Sequence, residues 1–245
     1  MYITITHIRA FCIKKYSEIV EFFRIFDYSD SITMEKLGNL VVFEGLDGSG
    51  TSTQLALLEQ KLAGLSPQGL SFMTTFEPTD GAIGTLIRSV LKNDLVLRPD
   101  TLARLFAADR GEHLYAFGGI LECCQRGELV ICDRYTLSSL VYQGIECGME
   151  LPRSLNESFP VPELLLFFDI DPAIAQKRMA GRPSLEIFEH IEFQKKVRGQ
   201  YHALFDEYRK AGTRIEIIDA SQSVEKVAED VWKEIVKLPI INARV

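Results

Sequence analysis

Residues 41–54 read Val-Val-Phe-Glu-Gly-Leu-Asp-Gly-Ser-Gly-Thr-Ser-Thr-Gln, an apolar strand-forming run that passes through a glycine-rich turn into a helix-forming run ending near Leu62. This arrangement sets a strand end against a helix N-terminus. Glycines let successive backbone N–H groups point inward around a polyphosphate, and the helix adds the positive end of its dipole. Gly45, Gly50 and Ser52 follow the spacing G-x-x-x-x-G-K-[ST]. The candidate phosphate cradle is therefore Gly45, Leu46, Asp47, Gly48, Ser49, Gly50, Thr51, Ser52 and Thr53. Thr51 stands where the motif has lysine. At ~4 Å and an effective dielectric of about 20, an ammonium–phosphate contact amounts to roughly 4 kcal/mol, or about a thousandfold in rate if wholly lost.

Short apolar runs alternate with helical patterns from residue 40 onward, the signature of βαβ units around a parallel sheet. Strands are expected near 40–44, 70–75, 128–132, 164–169 and 214–218. Helices are expected near 51–63, 80–92, 101–125, 136–146, 172–180, 188–210 and 222–236. Leu164-Leu-Leu-Phe-Phe168 is apolar at every position, as a central strand covered on both faces should be. The expected fold class is α/β, a three-layer P-loop NTPase fold whose five-stranded parallel sheet carries helices on both faces. In such sheets ligands sit beyond the carboxyl ends of the strands. Asp47 with its loop, Glu77-Pro78-Thr79 and Asp133-Arg134-Tyr135 all fall there.

At 245 residues and 47% hydrophobic content the chain can form one large domain. A net charge of −7 speaks against a surface that wraps nucleic acid. Cys12, Cys123, Cys124, Cys132 and Cys147 form an odd set without a C-x-x-C pair, which favours neither a disulfide framework nor a zinc site. A reducing, cytoplasmic setting is the simpler expectation. No apolar run approaches the ~20 residues of a membrane span. Residues 1–33 stand apart as an N-terminal extension, with helix-like apolar spacing from Ala10 to Phe26 and no A-x-A-like cleavage site. Met34 leads directly into the first strand, so residues 34–245 are expected to be the P-loop domain. Two readings of 1–33 stand side by side, an upstream start assignment and an added packing helix.

Asp133 ends the buried run Leu129–Cys132, where a carboxylate can hold or orient Mg2+ beside the Ser52 hydroxyl. The alternative for Asp133 is a helix N-cap. Arg134, beside the phosphates, could bridge donor and acceptor groups bidentately. Phe106 and Arg110 share a helix face at i and i+4 and could meet a planar base, although core packing of Phe106 with a surface Arg110 is the better reading of that pair alone. Arg178 and Arg182 belong to a helix end and the Gly- and Pro-bearing loop that follows it, which could close over a nucleotide. Those cations could equally just favour a helix C-terminus.

Taken together, these segments resemble thymidylate kinase. The resemblance rests on Phe43–Gln54, on Glu77-Pro78, on Leu105-Phe-Ala-Ala-Asp-Arg110, on Asp133-Arg-Tyr-Thr-Leu-Ser-Ser-Leu-Val-Tyr-Gln-Gly144 and on a lid-like segment ending Glu186-Ile-Phe-Glu189. It covers about residues 38–236 in order. It implies ATP-dependent phosphorylation of dTMP to dTDP with Mg2+, held by Ser52 and Asp133, in a cytoplasmic homodimer packed through long helices. It further implies Phe106 stacked on thymine and Arg110 on its exocyclic oxygen. Tyr142 would lie against the 2′ position, with Ser139 and Gln143 facing the base. Arg88 and Arg134 would hold the acceptor phosphate near Asp47, and the catalytic group would comprise Asp133, Arg134, Arg178 and Arg182.

Two positions depart from the family. Thr51 replaces lysine, and Phe76 stands before Glu-Pro where arginine is frequent. Both remove positive charge from one site, while Gly48 excludes an arginine supplied by the loop itself. Two alternatives follow, a nucleotide-binding protein without kinase activity and a kinase for another monophosphate.

Overall fold

The computed structural model describes residues 35–180 and 190–244. Five strands, β1 (Lys36–Gly45), β2 (Phe72–Phe76), β3 (Leu129–Asp133), β4 (Val161–Asp169) and β5 (Arg214–Asp219), lie in the order β2-β3-β1-β4-β5. Every pairing is parallel. β1 alternates between the layers: Val41 and Phe43 join one buried cluster, Leu40 and Val42 the other. The run Leu164–Phe168 of β4 is wholly buried, and full burial of such side chains is worth about 1.5–3 kcal/mol each.

The described helices are α1 (Thr51–Ala63), α2 (Ala82–Leu91), α3 (Pro99–Tyr115), α4 (Ile120–Gln125) and α5 (Thr136–Cys147). They continue with α6 (Glu150–Asn156), α7 (Pro172–Met179), α8 (Ile191–Lys210), α9 (Val224–Ile235) and α10 (Pro239–Asn242). Local chemistry sets several starts. Asp171 accepts a hydrogen bond from the Ala173 N–H at 2.8 Å with Pro172 at the first helical position, and Ser223 accepts from the Lys226 N–H.

The expected strands are all present. β1 begins earlier than expected, because Lys36 and Leu37 pair with Val161 and Pro162 before a register shift. Asn39 takes up that shift at φ 62°, and its N–H donates to Glu163 at 2.7 Å. The helix expected over 101–125 is two helices. The chain turns between Tyr115 and Ile120, with Gly118 at φ 73° and Gly119 where a Cβ would lie 2.8 Å from three carbonyl oxygens. Short α6 and α10 were not anticipated, being too brief to show a helical period. No described helix is long and apolar enough to cross a membrane. The helix-like spacing of residues 10–26, the boundary at Met34 and the lid-like segment with Arg182 lie outside the described residues.

Candidate active site

The glycine loop joins the end of β1 to the start of α1. Gly48 and Gly50 sit at φ 82° and 96°, the left-handed region that favours glycine. At Gly48 a Cβ would lie 2.6 Å from the Ala175 carbonyl oxygen, so α7 packs directly on the loop. Gly45 is equally confined, its Cβ position being 3.0 Å from the Phe168 carbonyl. Leu46 through Thr53 line a cavity of 620 Å³, which also reaches Phe76, Arg88, Asp133, Arg134 and Arg178.

β1–β3 pairing sets Asp133 opposite Phe43, at the floor of this cavity. Asp133 Oδ2 accepts from the Ser52 hydroxyl at 2.8 Å and the Thr51 hydroxyl at 3.2 Å. Oδ1 is buried without a hydrogen-bond partner. One hydroxyl and a carboxylate with an unsatisfied oxygen are hard donors of the kind Mg2+ takes, so Ser52 and Asp133 fit that ion.

Arg134 adopts φ 69°, and its N–H donates to the Phe43 carbonyl at 2.8 Å. Its guanidinium pairs with Asp47 and donates to the Gly45 carbonyl at 3.1 Å, Ser138 at 3.3 Å and Tyr142 at 3.4 Å. Burial opposes its charge, but the facing Tyr142, Asp47 and Tyr201 oxygens outweigh that and raise its pKa. Beneath it lies Glu44, fully buried. Glu44 accepts from the Tyr135 and Ser138 N–H groups at 3.0 and 3.1 Å, from the Ser138 hydroxyl at 2.6 Å and from Tyr201 at 2.8 Å. Burial pushes its carboxyl up, against the opposing pull of Arg134 and these donors. This carboxylate fixes the strand-to-helix turn that carries Arg134.

A second cavity of 150 Å³ also has Arg134 in its wall and is lined by Phe106, Arg110, Ser139, Tyr142 and Gln143 among others. Arg110 is no surface residue. It is 1% exposed and pairs with Glu77 at 2.7 Å. It also bonds Asn156, the Tyr135 carbonyl at 3.2 Å and Ser139 at 3.0 Å. The surface reading failed because helical spacing shows which residues share a face, not what covers it. Phe106, one turn earlier, is half-buried beside it. Asp109 fixes the loop after β2, accepting from the Thr79 N–H and hydroxyl at 2.7 Å each. Arg88 reaches both cavities, held by the Pro78 carbonyl and by Asp80 at 3.2 Å, with its guanidinium over the Phe76 ring.

The expected residues thus fall into two adjoining groups, with Arg178 exposed at the rim of the larger cavity. Glu44, Asn156, Gln194 and Tyr201 were missed. Gln194 donates to Asp47 at 3.0 Å, and Tyr201 lies within 3.5 Å of Arg134. Glu44 had a signal, a carboxylate inside an otherwise apolar strand; the α8 residues had none without the fold. The described cysteines are all free thiols.

This combination of a parallel sheet in the order 2-3-1-4-5, a glycine loop at the end of its central strand and a carboxylate on the neighbouring strand defines a P-loop phosphotransferase fold. The family model for thymidylate kinase matches residues 43–231, and the chain belongs to that family. A Treponema pallidum (strain Nichols) protein named "Putative thymidylate kinase" is 42% identical over 199 residues, covering 80% of this chain and 94% of the relative. A Methanococcus aeolicus protein named "Probable thymidylate kinase" is 37% identical over 210 residues, covering 84% of this chain and 100% of the relative. An Aeropyrum pernix protein named as the first is 36% identical over 197 residues, 80% and 93% of the two chains.

Proposed function

We propose that this chain transfers the γ-phosphoryl group of ATP to the 5′-phosphate of dTMP, giving dTDP and ADP. The observation that carries this reading is the shared wall: Asp47, Glu77, Arg88 and Arg134 line both the glycine-loop cavity and the smaller aromatic cavity. Two ligands held there meet at Arg88 and Arg134. Phosphoryl transfer needs little covalent participation from the protein and depends on positioning and electrostatics.

The glycine-loop N–H groups hold the ATP phosphates. Arg134 and Arg88 hold the acceptor phosphate, with Asp47 setting the Arg134 guanidinium. Phe106 stacks on thymine, and Arg110, oriented by Glu77 and Asn156, reads the exocyclic oxygen. Ser139 and Gln143 face the same base, and Tyr142 closes the 2′ position. Ser52 and Asp133 would hold Mg2+, which would supply charge neutralisation at the phosphates. Arg178 and Arg182 add charge from the lid side. Support for these roles, Arg182 excepted, comes from the cavity linings and from family membership.

A homodimer fits the apolar side chains that α2 and α3 expose, Leu86 and Tyr115, together with Phe117 just beyond; sedimentation measures it. A cytoplasmic setting fits the free thiols. Residues 34–245 act as the kinase domain and 1–33 as an extension, for which the N-terminal peptide of the natively expressed protein is the test. Assay with dTMP, dUMP, dCMP and dGMP should show preference for dTMP, and preference for dCMP would sink the assignment.

A further inference from the structure

The buried face of α8 carries Val197, Tyr201, Leu204 and Tyr208 at helical spacing, so Tyr201 reads from sequence as a core aromatic. Its ring behaves as one, packed against Phe167 with centroids 4.9 Å apart. Its hydroxyl instead enters a polar cluster: it donates to Glu44 at 2.8 Å, lies 3.0 Å from the Ser138 hydroxyl and accepts from the Arg134 guanidinium at 3.5 Å. Ser138 makes the same pair of contacts, donating to Glu44 at 2.6 Å and accepting from Arg134 at 3.3 Å. A hydroxyl has one proton to give and two lone pairs with which to accept. With both protons given to Glu44, both oxygens face Arg134 as acceptors, and two neutral hydroxyls link the buried carboxylate to the guanidinium. Burial pushes the Tyr201 phenol well above its ordinary range, so it keeps that proton. Among the described residues, Tyr201 is the donor to Glu44 that comes from outside the Tyr135–Ser138 turn.

We infer that the Tyr201 hydroxyl is a positioning group for the acceptor phosphate, acting from α8 through Glu44 and Ser138 to hold the Arg134 guanidinium where the two cavities share a wall. This rests on the reading that Arg134 meets that phosphate. Asp47 pairs with the same guanidinium from the glycine loop, so Arg134 is held from two sides. Without the Tyr201 hydroxyl the fully buried Glu44 has one donor fewer, and a buried acceptor left without its donor is penalised by its desolvation. Arg134 loses an acceptor at the same time. The two opposite charges then compensate by pairing directly, which draws the guanidinium toward Glu44 and off the phosphate.

The test compares dTMP with thymidine, which has the same base and sugar and no phosphate, by calorimetry on the full chain. The parent should bind dTMP more tightly. Tyr201→Phe keeps the ring and removes the hydroxyl; affinity for dTMP should fall on the order of tenfold while affinity for thymidine holds. Tyr208→Phe is the control, since it removes a buried hydroxyl from the same helix face, bonded to Thr136 at 2.8 Å, and should alter neither affinity. Should Tyr201→Phe fail to fold, Ser138→Ala interrupts the same link and should lower the affinity for dTMP alone. An unchanged affinity for dTMP in the folded variant overturns the inference. So does an equal loss for dTMP and thymidine, or an equal loss for dTMP in Tyr208→Phe, because each marks a general loosening of the site. A parent that binds the two ligands equally removes the reading that Arg134 meets the phosphate, and the inference with it. A parent that prefers dTMP, with Tyr201→Phe no different, removes the inference alone.

Discussion

Truncating Glu77 to alanine should destabilise the protein by about 3–5 kcal/mol, the usual consequence of stranding one member of a buried ion pair. The side chains of Glu77 and Arg110 are 3% and 1% exposed, and their charged atoms are 2.7 Å apart. Arg110 would keep Asn156, Ser139 and the Tyr135 carbonyl, all uncharged partners. His113 would also lose its acceptor, 3.2 Å away. Against a typical total of 5–15 kcal/mol this is a large fraction, and for a domain of this size it lowers Tm by roughly 6–20 °C. Denaturant unfolding gives the first number and calorimetry the second. The double variant Glu77→Leu/Arg110→Met should recover much of the loss, because an apolar pair leaves no charge unpaired. Arg110 lines the smaller cavity only. In Glu77→Ala assayed well below its Tm, KM for dTMP should therefore rise. A cost under about 1 kcal/mol, with KM for dTMP unmoved, would refute the claim that this pair holds the base-reading arginine.

Gly48→Ala should raise KM for ATP on the order of tenfold and cost about 1–3 kcal/mol, since the new Cβ meets the Ala175 carbonyl at 2.6 Å and alanine disfavours φ 82°; an unchanged KM in a folded variant would mean that the loop does not hold the phosphates as described. Asp169 accepts two hydrogen bonds from Arg198 at 2.7 and 2.8 Å, which hold its carboxyl below the ordinary 3.8. Its contribution is present above that value and is lost as pH falls below it, so Asp169→Asn should flatten the acid limb of a stability-against-pH curve below about pH 4. An acid limb as steep as the parent's would place the acid sensitivity in other carboxylates.

The sheet was legible because buried parallel strands must be continuously apolar, and Leu129–Cys132 and Leu164–Phe168 satisfy that at every position. The glycine loop was legible because its backbone demands glycine at fixed spacing. Less legible was anything set by contact between distant segments. Glu44 in β1 and Tyr201 on α8 are 157 positions apart, and their 2.8 Å hydrogen bond exists only once β1 and α8 pack together. Arg110 illustrates the same limit from the other side. Its helix face was readable, but the buried carboxylate that makes it an interior residue comes from the end of a different strand. The break between α3 and α4 was written in Gly118-Gly119 and was overridden by the helical period on either side.

Product formation tests the central claim most directly: purified protein, ATP, Mg2+ and dTMP, with dTDP and ADP quantified against enzyme concentration. The account predicts many equivalents of dTDP per chain, equimolar with ADP and dependent on dTMP. Tight dTMP binding with less than one equivalent of dTDP formed would contradict it, and would mark the chain as a nucleotide-binding protein whose glycine loop lost catalysis with its lysine.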